Sequence, residues 1–148
     1  MKTEVKNAPS RSRLGSKTEA SRRQHRAMEQ CLDDLLSRIE AKAGFLESFR
    51  KAHSLAAEHY RAEEELLREI ARHEASLAEK MASQHAEALE MAAGLEEAVA
   101  AGQAGDTLLL ARRFHAIAQH NIIDEERDVF PLAERWDASE SGFGHGGV

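Results

Sequence analysis

The chain has 148 residues, 31% of them charged and only 5% aromatic, with a formal net charge of −6. That length suits one domain with a sizeable core, and acids interspersed among the bases leave no basic face for nucleic acid. Cys31 is the only cysteine, which excludes an intramolecular disulfide and any cysteine-based zinc or iron–sulfur site. No run approaches the eighteen apolar residues of a membrane span and no signal-peptide pattern follows the first lysines, so a cytoplasmic location without membrane contact is the expectation.

Ala, Glu, Leu, Arg and Lys dominate and the only prolines are Pro9 and Pro131, a composition typical of helical proteins. Residues 1–15 mix Pro, Ser, Gly and charge without a hydrophobic period and read as a tail. Ser16 followed by Glu19 forms a capping box, in which each side chain satisfies an orphaned amide, and predicts the start of helix one. Its apolar stripe runs His25, Met28, Leu32, Leu35, Ile39, with Cys31 read as a small core residue and Gly44 as the terminator.

Helix two carries Phe45, Phe49, Ala52, Ala56, His59, Glu63, Leu66 and Ile70 on a three-four repeat. No Gly or Pro occurs from 45 to 93, yet one helix of about fifty residues would far exceed the usual globular length. Ser76 with Glu79 gives a second capping box, which places a turn near residues 72–75. Helix three shows Leu77, Met81, His85, Ala88, Ala92, Leu95 and Val99 and ends in "AAGQAGD". Asp106 is the expected N-cap of helix four, which runs to about Trp136 with Pro131 interrupting or kinking it. The Gly-rich residues 138–148, with His145, read as a second tail. Four amphipathic helices with short connections predict an all-α antiparallel up-down four-helix bundle over residues 16–137.

The stripes contain residues that do not belong in an apolar core. His25, His59 and His85 lie near the middle of three successive helices, Glu63 follows His59 by one turn, and helix four adds His115, His120, Asp124 and Glu125. Singly, each histidine is explained by a hydrogen bond in the core; together, unpaired and buried, they would cost several kcal/mol apiece. A cation compensates for such a cluster, and mixed imidazole and carboxylate donors suit iron, manganese or zinc. About six ligands exceed one tetrahedral zinc and fit a pair of metals bridged by carboxylates. No Glu-x-x-His and no His-Glu-x-x-His occurs, which argues against ferritin-like di-iron and zinc-peptidase patterns.

The stretches "RRQHRAMEQCLDDL", "EHYRAEEELL", "ASQHAEAL" and "HNIIDEERDVFPLAE" together resemble the hemerythrin-like, HHE cation-binding domain family across roughly residues 20 to 136. The resemblance implies two non-haem iron ions, oxo- or hydroxo-bridged, held by His25, His59, Glu63, His85, His120 and Glu125. It further implies binding or sensing of dioxygen, peroxide or nitric oxide, with peroxide reduction as the activity if the protein is an enzyme. Oxygen carriers place a second histidine four residues after the one on helix three, where this chain has Leu89, which argues against reversible oxygen carriage. On helix four, five residues turn an ideal helix by about 140°, so His120 joins Glu125 only if a one-residue π-bulge intervenes. His115 and Asp124 are the respective alternatives. The rival readings are an iron or zinc storage module without redox turnover, and a metal-free helical interaction protein.

Overall fold

A computed structural model describes residues 13–136, and every element in them is helical. In chain order these are α1 (Arg13–Ala41), α2 (Phe45–Ala62), α3 (Glu64–Ala71), α4 (Ala75–Ala100) and α5 (Ala104–Asp124). A π turn, Glu125–Val129, follows α5 directly, and helix resumes over 130–136. The tails expected at 1–15 and 138–148, with His145, fall outside the described residues except for 13–15, which are helical. No described helix is long and apolar enough to cross a membrane.

The helix starts differ from the capping signals. Ser16 lies inside α1, which begins a turn earlier because Thr18 and Arg22 bond to Glu134 at the far end of the chain, at 2.9 and 3.0 Å. Those tertiary contacts outweigh a local cap worth about 1 kcal/mol. The turn before α4 falls where expected, with Glu74 rather than Ser76 in the cap position, and α5 starts at Ala104, two residues ahead of Asp106.

α1 closes with Ala43 N–H on the Arg38 carbonyl at 3.2 Å, which puts Lys42 at φ 57° and Gly44 at φ 66°. A side chain at positive φ costs about 1 kcal/mol where glycine costs nothing. Lys42→Gly is therefore expected to raise stability by about 0.5–1 kcal/mol, a shift of a few degrees in thermal melting.

Between α2 and α3 only Glu63 departs from helix, and it keeps right-handed φ/ψ of −86° and −4°, with its N–H still on the His59 carbonyl at 3.0 Å. α1 packs against α2 and α5, while α4 packs against α5, α3 and α2. Two apolar clusters result. The larger includes Met28, Leu35, Phe49, Ala92, Leu95 and Phe114; the smaller comprises Leu66, Ile70, Ala78, Met81, Val129, Phe130 and Ala133. Burial of each large side chain contributes about 1.5–3 kcal/mol. Glu63, His85 and Glu125 fall in sequence between the members of the two clusters, and His25, one turn before Met28 of the larger cluster, stacks on Phe130 of the smaller, so all four stand at the seam of the two cores.

Candidate metal centre

His25 from α1, His59 from α2, Glu63 from the α2–α3 joint and Glu125 at the head of the π turn are all buried, and one donor atom from each lies within 4.8 Å of the others. His25 Nε2 stands 3.0 Å from His59 Nε2 and 2.9 Å from Glu125 Oε1. His85 from α4, also buried, brings Nε2 to 2.7 Å from Glu125 Oε2. Glu63 sets Oε2 3.2 Å from His59 Nε2 and Oε1 3.4 Å from His85 Nε2, yet neither oxygen is hydrogen-bonded.

Outer contacts fix which nitrogen faces inward. His25 Nδ1 lies 2.8 Å from Glu126 Oε2, and a carboxylate only accepts, so Nδ1 donates there and Nε2 is the nitrogen that faces the cluster. His59 Nδ1 donates likewise to the amide oxygen of Gln24 at 2.5 Å. Glu126 is held in turn by Arg26. Two imidazole Nε2 atoms and two carboxylates thus converge on one place, where either protons on the nitrogens or a cation offsets the carboxylate charge, and such oriented imidazoles are the usual partners of a bound metal. The buried group of His25, His59, Glu63 and Glu125 can hold a metal ion.

The electrostatics follow from the same contacts. Burial disfavours the imidazolium of His59, but Glu125 and Glu63 outweigh it and lift its pKa to about 9; His85 is raised by the same balance. Burial would raise Glu125, but His25, His59 and His85 hold it well below the usual carboxylate range. Burial, with Glu125 and Glu63 nearby, keeps the Tyr60 hydroxyl protonated. Tyr60 stacks on His85 with ring centroids 4.0 Å apart, and Phe130 stacks on His25 at 5.2 Å.

His120 is not brought to this cluster. Its side chain is 67% exposed and pairs with Asp124 at 3.0 Å. A π turn does form in the last helix, but it begins at Glu125, too late to change the roughly 140° between His120 and Glu125. It sits where Pro131 lacks an N–H and crowds the Arg127 carbonyl, and there the Phe130 N–H reaches five residues back to Glu125. His115 is half-buried with Nε2 unpartnered, and Asp124 is buried among Gln84, Lys80, Arg127 and His120. His120→Ala should therefore leave metal content unchanged, whereas His59→Ala should reduce it severely, as read by elemental analysis of the purified variants.

Sequence reasoning missed Gln24 and Glu126, each adjacent to a cluster residue. The one available signal was the acidic pair Glu125–Glu126, which embraces both nitrogens of His25. Glu64 and Glu65, which follow Glu63, are exposed. Compared with known proteins, the chain matches no family model, no curated protein and no solved structure.

Proposed function

We propose that this protein is a hemerythrin-like four-helix bundle that holds non-haem iron and binds or senses dioxygen or a related oxidant such as peroxide or nitric oxide. Glu63 keeps right-handed φ/ψ, which supports counting α2 and α3 as one rod, and the contacts of α1 with α2 and α5 and of α4 with α3 and α5 support a bundle of four. The observation that carries the metal is Glu63, whose two buried oxygens lack any hydrogen bond while facing His59 and His85. An ionised carboxylate buried without a hydrogen bond is costly unless charge on His59 and His85, or a cation, offsets it.

The residues that would hold the metal are His25, His59, Glu63, His85 and Glu125. Both carboxylates turn their two oxygens toward different histidines, Glu125 toward His25 and His85 and Glu63 toward His59 and His85, a disposition that favours a pair of ions. Iron bound here would supply redox chemistry. The chain supplies the rest: Glu126 and Gln24 fix the ring tautomers, the apolar clusters on either side exclude water, and the Tyr60 hydroxyl holds a proton beside His85. With Leu89 on α4 and His120 outside the cluster, five side chains rather than seven surround the centre, which favours sensing or reaction with an oxidant over reversible carriage.

The test is metal analysis of protein made with added iron, with optical spectra before and after exposure to dioxygen, peroxide and nitric oxide. About two irons per chain and a near-ultraviolet charge-transfer band that responds to oxidant are expected; sub-stoichiometric metal with stability unchanged by chelation overturns the reading. A second reading, one iron or zinc ion held without redox turnover, is favoured by the compactness of the four donors within 4.8 Å. It predicts one ion per chain and a spectrum indifferent to oxidants.

A further inference from the structure

Four of the five side chains at the centre are sealed. His25, His59, Glu63 and Glu125 are at most 1% exposed, and the outer ring nitrogens of the two histidines are engaged inside the protein, His25 Nδ1 with Glu126 and His59 Nδ1 with Gln24. His85 differs on both counts. Its side chain is 9% exposed and lines the open groove between α2–α3 and α4. Its Nδ1 has no partner among the described residues and is not fully buried. Only the Nε2 edge of the ring is held inward, by Glu125 and Glu63, while Tyr60 covers one face with the ring planes 14° apart.

The sequence around His85 explains the gap. A metal-binding histidine ordinarily donates its second ring nitrogen to a carboxylate, a carbonyl or water. Its neighbours on the groove side of α4 are Ala82, Ala86 and Leu89, whose side chains offer no acceptor. Leu89 follows His85 by one turn, and helical side chains lean toward the N-terminus, so Leu89 leans back over the ring. Tyr60 and Leu89 thus flank the one member of the centre that touches the outside. Tied outwardly only by its stack on Tyr60, the His85 ring can shift without breaking a hydrogen bond on that side.

We infer that His85 is the doorway of the centre, where small uncharged molecules pass from the groove between Tyr60 and Leu89, and that Leu89 sets its width. The inference deepens the function proposed above and rests on it for the molecule admitted. The size limit follows from an opening of a few per cent of one side chain. The preference for uncharged molecules follows from the apolar flanks, which would strip an anion of its water without replacing it. Dioxygen, nitric oxide and hydrogen peroxide meet both conditions.

Two measurements test this. Hydroxyl-radical footprinting of the metal-free full chain, read residue by residue with mass spectrometry, should label His85 and leave His25 and His59 at background. In iron-loaded protein mixed rapidly with nitric oxide, Leu89→Trp should slow association and release about tenfold each, and Leu89→Ala should quicken both. Iron content and nitric oxide affinity should stay unchanged, because a doorway alters both rates alike whereas a residue that shapes the bound state alters their ratio. Circular dichroism checks that both variants are folded. Absence of iron from the parent would count against the function proposed above, and the footprint would then decide on the doorway alone. Labelling of His25 or His59 as strong as that of His85, or nitric oxide rates indifferent to both substitutions, would overturn the inference.

Discussion

Glu63→Met is expected to empty the centre of metal and yet leave the metal-free protein as stable as the parent, or about 1–3 kcal/mol more stable. The sign follows from the orphaned oxygens. Glu63 is 1% exposed and neither oxygen is hydrogen-bonded, so without metal its desolvation is offset only by the charge it favours on His59 and His85, which must itself be buried. Methionine fills similar volume and continues the apolar surface toward Leu66. Urea unfolding of both proteins after chelation, set beside their metal contents, checks both halves. A variant that loses more than about 1 kcal/mol without metal would show that His59 and His85 already compensate Glu63. The position would then be one where stability is sacrificed to binding, as functional sites often are.

Glu125→Ala is expected to do the opposite to the metal-free fold, with a loss of about 3–5 kcal/mol, and also to remove the metal. Glu125 is fully buried and takes His25 at 2.9 Å, His85 at 2.7 Å and His59 at 3.4 Å. Alanine leaves His25, His59 and His85 facing one another with Glu63, at 3.2 Å from His59 and 3.4 Å from His85, as the one carboxylate among them, and a cavity where Glu125 stood. Two glutamates of the same cluster thus give opposite stability changes in the same denaturation experiment. Equal losses for both would mean that they share one role.

Much of this centre was legible because the helical period is strict over three or four turns. His25, His59, Glu63, His85 and Glu125 each stand where a stripe of apolar residues is interrupted, and each is buried. His120 was misplaced because the reading needed a π turn before Glu125, while the turn lies after it, next to Pro131. Where a helix widens depends on a carbonyl meeting a proline ring, a contact that periodicity does not carry. Gln24 and Glu126 were illegible for another reason: a polar residue beside a stripe reads as solvated, and only the packing of α1 against the last helix turns Glu126 onto His25. The single-residue joint at Glu63 was equally hidden, since the segment has no glycine or proline and Glu63 stays in the right-handed region, open to any residue.

The division of the interior into two apolar clusters has a consequence for how the molecule opens. α3, the first turns of α4 and residues 130–136 share the smaller cluster, and only the polar layer separates it from the larger one. Polar layers transmit cooperativity poorly when their partners are missing, so the two halves behave as separate foldons joined by whatever neutralises the glutamates. Amide hydrogens of α3 and of residues 130–136 should then exchange well before those of the α1–α2–α5 half in chelated protein, and together with them once metal is restored. With an ion bound the centre would act as a rivet, and the smaller half as a clamp whose opening would govern how quickly the ion enters or leaves.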